Sequence, residues 1–123
     1  MSGTNIVLDT NAVLYLLGGK IDPATLPKGE FFISFITELE LLSYPNLSKF
    51  EEEKIKNFLE SVDVIGLNPE IKRETIHLRK NYKIKLPDAI ICATALFLNA
   101  LILTFDKSFK KIKEITLVTT ELS

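Results

Sequence analysis

Carboxylates are the functional groups this chain holds in quantity, with 16 Asp and Glu against one His and one Cys. Asp9 closes the apolar run Ile6-Val7-Leu8, and Asp106 closes Leu103-Thr104-Phe105. Asp88 opens the stretch Ala89-Ile90-Ile91-Cys92-Ala93, while Glu38 and Glu40 sit among Ile36, Leu39, Leu41 and Leu42. Singly, each has an ordinary use. Asp9 suits a helix N-cap, Asp106 a turn, and Asp88 the positive end of a helix dipole. Glu38 and Glu40 lie two residues apart, so on a helix they point to nearly opposite sides, and one can face a cleft while the other meets solvent. Asp88 differs in one respect. Its neighbours predict burial on every side, and a charge at such an edge is costly unless it is paired or bound to metal.

Together these acids can do more. Three or four converging carboxylates repel one another strongly without a cation. Oxygen-only ligands suit Mg²⁺, with Mn²⁺ as a substitute, because such ions bind through a few carboxylates and keep several waters. An ion held this way activates water and neutralises charge on a phosphodiester undergoing in-line attack. That chemistry needs no imidazole. His77 by itself cannot build a multi-histidine metal site, and Cys92, four residues after Asp88, reads as a small core residue. Tyr15 and Tyr82 read as packing residues at helix ends.

Convergence requires elements that bring the acids to one place. Short apolar runs alternate with helical segments along the chain. Strands are predicted at Ile6-Val7-Leu8, Phe31-Phe32-Ile33, Val62 to Leu67, Leu101 to Phe105 and Ile115 to Thr119. A helix from Ala12 to Leu17 stops at Gly18-Gly19, and a second runs from about Ile36 to Ser43. Ser48 and Glu51 have capping-box spacing, opening a helix with Ile55, Phe58 and Leu59 on one face. Asn68-Pro69 starts another that reaches about Tyr82. Leu86-Pro87-Asp88 opens the apolar helix ending at Leu98, with Asn99 as C-cap, and Lys107 to Lys113 forms a short basic turn or helix. The alternation predicts an α/β fold with a mostly parallel sheet of about five strands between two helical layers. In such sheets ligands sit beyond the carboxyl ends of the strands, which is where Asp9 and Asp106 fall.

Four segments in order resemble one family. Asp9-Thr10-Asn11 is similar to the opening of a PIN domain, and Ser34 to Leu42 to its second motif. Leu86 to Ala95 resembles the third motif, and Leu103 to Phe109 the fourth. The resemblance implies a PIN domain, α/β/α in three layers over residues 1–123, of the VapC-type toxin ribonucleases. It implies an Mg²⁺-dependent endoribonuclease of a type II toxin–antitoxin pair, with a cognate antitoxin and a homodimer, leaving 5′-phosphate and 3′-hydroxyl ends. The metal-binding and catalytic acids carried over are Asp9, Glu40, Asp88 and Asp106, with Asn11 and Thr104 as polar helpers. Glu38 is the alternative to Glu40. The sequence departs from the family at Ser43-Tyr44-Pro45, where Gly often follows this helix.

The length allows one domain, and a hydrophobic share of 46% is enough for a core. A single Cys excludes a disulfide scaffold. No targeting segment or membrane-spanning run stands out, so a cytoplasmic protein is expected. The net charge of -1 conceals an uneven chain: residues 1–61 hold 5 basic and 9 acidic groups, and residues 62–123 hold 10 and 7. Lys83 and Lys85 just before Asp88, and Lys107 just after Asp106, are candidate RNA contacts. Two non-enzymatic readings compete. One is a receiver-like domain that accepts phosphate on Asp, although no acid adjoins Asp9 and none ends the third strand. The other is a catalytically silent PIN domain that binds RNA or protein.

Overall fold

The computed structural model describes residues 3–122. Five strands form one sheet in the order β3-β2-β1-β4-β5. They are β1 (Asn5–Leu8), β2 (Glu30–Ser34), β3 (Asp63–Ile65), β4 (Leu101–Leu103) and β5 (Leu117–Val118). Every pairing between them is parallel. The expected mostly parallel sheet is therefore parallel throughout its described strands. Five α-helices connect them: α1 (Thr10–Leu17), α2 (Phe35–Leu42), α3 (Lys49–Ser61), α4 (Pro69–Asn81) and α5 (Leu86–Leu98).

Parallel strands need crossovers, and the crossovers cover both faces. Val7, Phe32 and Ile102 point to one face and pack with Ile71 and Leu78 of α4 and with Ala89, Cys92 and Ala93 of α5. Ile6, Leu8, Ile33 and Leu103 point to the other and meet Ala12 and Val13 of α1, Leu41 of α2 and Ile55 of α3. β1 lies at the centre with both faces covered, which explains why Ile6-Val7-Leu8 carries no polar alternation. Among the described residues, no helix is long and apolar enough to cross a membrane.

Local signals set the helix ends. The Ser48–Glu51 capping box forms in both directions. Asn68 caps α4 with Pro69 in its first turn, and Asn99 ends α5 in the left-handed conformation at φ 53°. Gly29 is required for a different reason: a Cβ there would lie 2.3 Å from the Thr4 carbonyl oxygen. That contact is the approach that lets Glu30 N–H donate to Thr4 at the start of the β1–β2 ladder.

Several element boundaries differ from the sequence expectation: β5 is Leu117–Val118 rather than Ile115 to Thr119, because only those two residues pair with β4. β3 is Asp63–Ile65 rather than Val62 to Leu67, because its ladder faces Phe32 to Ser34 of β2 and nothing beyond. β4 ends at Leu103 instead of Phe105, which leaves Thr104 and Asp106 on the loop past the sheet. The basic segment is a 3₁₀ turn over Lys107–Lys111, pinned by buried Phe109.

Candidate functional site

Strand order reverses at β1: the chain winds outward through β2 and β3 on one side, then crosses to β4 and β5 on the other. The crevice between the carboxyl ends of β1 and β4 is the topological switch point, where open α/β sheets bind ligands. A receiver-like sheet, with β1 between its second and third strands, has a different order. The order found here excludes that alternative.

Asp9 stands in this crevice, 4% exposed. Its backbone N–H donates to Leu103 of β4. One carboxylate oxygen accepts from the Ala12 N–H at 2.7 Å and caps α1. The other accepts from the Thr104 hydroxyl, whose oxygen in turn accepts from the Asp106 N–H at 3.0 Å. Thr104 thus ties the first acid to the loop that carries the last. Burial pushes the Asp9 carboxyl above its ordinary range, and the charges of Asp106 and Glu40 push the same way against the two hydrogen bonds.

Asp88, half-buried in the first turn of α5, is also raised, by burial first and then by Asp106, Asp9 and Glu40. Asp106 is exposed and held below its ordinary range, chiefly by hydrogen bonds from Ser108 and also by the charges of Lys85 and Lys111. Glu40 joins the group from α2. Its Oε1 accepts from the Thr10 hydroxyl at 2.6 Å. Because Thr10 spends its one proton there, the Thr37 hydroxyl 3.0 Å away donates to the Thr10 oxygen. Four acids from four segments therefore share one field of mutual repulsion.

Glu38, two residues before Glu40 on α2, exerts no such charge on Asp9 or Asp88. Asn11 lies exposed on the first turn of α1. Lys83 and Lys85 line a cleft that reaches Asp88 and Asp106, whereas Lys107 lines a separate one on the other side of Asp106. Thr10 and Thr37 were not among the expected site residues. The signal was present in Thr10 beside Asp9, and in Thr37 one helical turn before Glu40. His77 is remote from the crevice, bonded to Glu114 and Asn81. The Cys92 thiol is buried and pushed up to about 12, chiefly by desolvation, so it is an inert core group.

Among the described residues, no three Asp, Glu, His or Cys side chains form a ready cage around an ion. The crevice instead offers desolvated, like-charged oxygen donors. That donor set fits a hard divalent cation that keeps part of its water shell.

The PIN domain family model matches residues 6–115, a span that includes all four acids. No curated protein sequence matches the chain at a significant level. Among solved structures, the chain is 30% identical to a chain of a toxin–antitoxin complex from Klebsiella pneumoniae, with a TM-score of 0.75 over 93% of this chain and 96% of that one. It is 26% identical to a chain of VapBC-1 from nontypeable Haemophilus influenzae, at TM-score 0.71 over 94% and 98%. A chain of VapBC2 from Rickettsia felis, bound to a promoter DNA fragment, has the same fold at 22% identity and TM-score 0.81, over 96% and 100%. The four acidic segments, the switch-point crevice and the extent of the family match agree: this chain belongs to the PIN domain family.

Proposed function

We propose that this protein is an Mg²⁺-dependent endoribonuclease, with Mn²⁺ as a substitute, and the toxin of a type II toxin–antitoxin pair acting in the cytoplasm. The observation that carries the reading is Asp9, a buried carboxylate fixed through both oxygens and facing the charges of Glu40 and Asp106. Burying a carboxylate among like charges costs stability, and that cost marks Asp9 as a group kept for function beyond its N-cap bond.

Asp9, Glu40, Asp88 and Asp106 would hold the ion. When bound, a divalent ion supplies Lewis acidity towards water and phosphate and offsets the negative charge of the reacting centre. The chain's own groups prepare the site. The Ala12 N–H and Thr104 hydroxyl fix the plane of the Asp9 carboxylate, and Thr10 and Thr37 fix Glu40. Burial of Asp9 and Asp88 keeps bulk water from screening the field they make. RNA is the substrate that the family resemblance implies, with products carrying 5′-phosphate and 3′-hydroxyl ends.

A protein partner is part of the same proposal. Leu39, Leu42, Tyr44 and Phe50 are exposed on and beside α2 and α3. Leu42 and Tyr44 border a cleft of about 520 Å³ whose floor is Leu41, Leu47 and Ile55 and whose rim is Lys49, Glu52, Glu53 and Lys56. These exposed apolar side chains with their charged rim, next to the helix that carries Glu40, suit the antitoxin, since monomeric proteins seldom expose such patches without use. A homodimer is the expected assembly of the toxin.

Cleavage of single-stranded and structured RNA with Mg²⁺, with Mn²⁺ and with chelator tests the activity. Wild-type protein is expected to cut in either metal and to lose cutting in chelator. Asp9→Asn should lower the rate by at least about 100-fold, in line with loss of a charge at a reacting centre. Undiminished metal-dependent cleavage by Asp9→Asn would sink the assignment.

A further inference from the structure

Asp106 divides the mouth of the crevice into two spaces of opposite character. On one side, Thr104, Phe105, Leu117 and Val118 floor a mainly apolar cleft of about 400 Å³ with Lys107 and Lys110 on its walls. On the other, a cleft of about 530 Å³ is lined by Arg79, Lys83, Lys85, Ser108 and Lys111 and reaches both Asp88 and Asp106.

The second cleft is assembled from three places: the end of α4, the loop before α5, and the 3₁₀ turn after Asp106. Two cation-to-carbonyl bonds hold it together. Arg79 Nη1 donates to the Ile84 carbonyl at 2.8 Å, and Lys111 Nζ donates to the Lys83 carbonyl. Each side chain commits one donor to the loop. Arg79 keeps four further N–H groups and Lys111 two, with both charges intact. Lys85 stands at the N-cap position of α5 without a side-chain capping bond.

The four cations of this cleft, Arg79, Lys83, Lys85 and Lys111, stay out of contact with the acids beside them, although the charges of Lys85 and Lys111 reach Asp106 and that of Lys85 reaches Asp88. Among the described residues, the one ion pair is His77–Glu114, so none of the four forms a close pair with Asp88 or Asp106. A surplus of positive charge next to an acidic centre, unpaired with it, is complementary to an anion whose neighbouring group lies at the acids. A nucleic-acid strand has that pattern, one phosphate after another.

We propose that the cleft among Arg79, Lys85, Ser108 and Lys111 is a subsite for one backbone phosphate of the RNA strand, adjacent to the phosphate cut at the acids. The proposal rests on the ribonuclease reading and adds to it a place for the flanking nucleotide. Arg79 comes from the end of α4, which no acidic motif contains, and Ser108 follows Asp106 on the 3₁₀ turn. The subsite positions the strand and takes no part in bond breaking. Lys107, on the far side of Asp106, falls outside it.

Lys85→Met is the informative variant, because the Lys85 side chain holds no part of the fold together. Steady-state cleavage of a short single-stranded oligoribonucleotide is measured at several salt concentrations. Removing one phosphate contact is expected to raise KM about tenfold, with the change falling on KM rather than kcat. It should also flatten the log–log salt dependence by about 0.7. Arg73→Met is the control for general loss of charge, because Arg73 borders a different cleft with Glu74 and Phe97. It should alter neither quantity.

A neutral methylphosphonate in place of the flanking phosphate supplies a second measurement. Wild-type protein should lose more than that factor on that substrate, because Arg79 and Lys111 lose the same charge partner, and Lys85→Met should lose less than wild type does. Unchanged KM and salt slope in Lys85→Met, or equal losses in Lys85→Met and Arg73→Met, overturn the subsite and leave the nuclease standing. Failure of wild-type protein to cut any RNA with metal present is a separate result, and it overturns the reading on which the subsite depends.

Discussion

Asp9 performs two jobs that pull against each other. As the N-cap of α1 it holds the helix in place, and as a buried carboxylate among acids it strains the metal-free fold. Asn caps a helix as well as Asp does. Its amide oxygen can still accept from Ala12, and its NH₂ can donate to the Thr104 oxygen. Asp9→Asn is therefore expected to raise the melting temperature of the chelated protein by about 4 °C, near 1 kcal/mol for a domain of this size. It should also reduce the further rise that Mg²⁺ gives to wild type. Thermal melts with and without the ion check this, and a fall in the chelated melting temperature would contradict it. The pH dependence has a definite sign. A carboxyl raised in the folded state binds its proton more tightly there, so stability present below its unfolded value is lost as pH rises through the folded value. Chelated wild type should lose stability over that window, and Asp9→Asn should lose less.

At the scale of elements, helix starts were the most legible feature, because a cap is a contact among residues three apart. Ser48 and Glu51 form the expected capping box, and Ser48→Ala should cost about 1 kcal/mol in chemical denaturation. Hydrogen bonds donated by Ser48 hold the Glu51 carboxyl below its ordinary range. Its contribution is thus present above the unfolded value and lost as pH falls through the folded one. Glu51→Gln should flatten that part of the acid stability curve, and an unchanged curve would refute the role. Strand ends were less legible. The apolar run from Val62 to Leu67 continues past the ladder, but β3 stops where β2 offers no further partner. Pairing length belongs to two strands at once and cannot be seen in either alone.

Across the whole molecule, stability is concentrated at β1. Ile6 and Val7 are fully buried on opposite faces, whereas Leu117 lies half-buried on the two-residue edge strand β5. Ile6→Ala is expected to cost about 2–5 kcal/mol through lost burial and the cavity left behind. Leu117→Ala should cost roughly 1–2 kcal/mol, since that side chain gives up less buried area. Equilibrium unfolding of both variants checks the ranking, and equal losses would refute it. Charge is likewise uneven at this scale. The acidic first half supplies Asp9 and Glu40, and the basic second half supplies Arg79, Lys85 and Lys111 along with Asp88 and Asp106.

The sequence by itself determined the alternation of strand and helix, the caps, and the acids Asp9, Asp88 and Asp106 at the ends of apolar runs, because each is written in residue type and short spacing. Tertiary structure decided which acids meet. Glu40 rather than Glu38 reaches the crevice because the rotation of α2 is fixed by Leu41 packing under the sheet, and Thr10, from another helix, takes hold of Glu40. It also decided that Lys85 and Lys107, both beside acids in the sequence, open into different clefts. Such choices depend on strand order and on contacts between residues as far apart as Asp9 and Thr104, and no local pattern carries information over that separation.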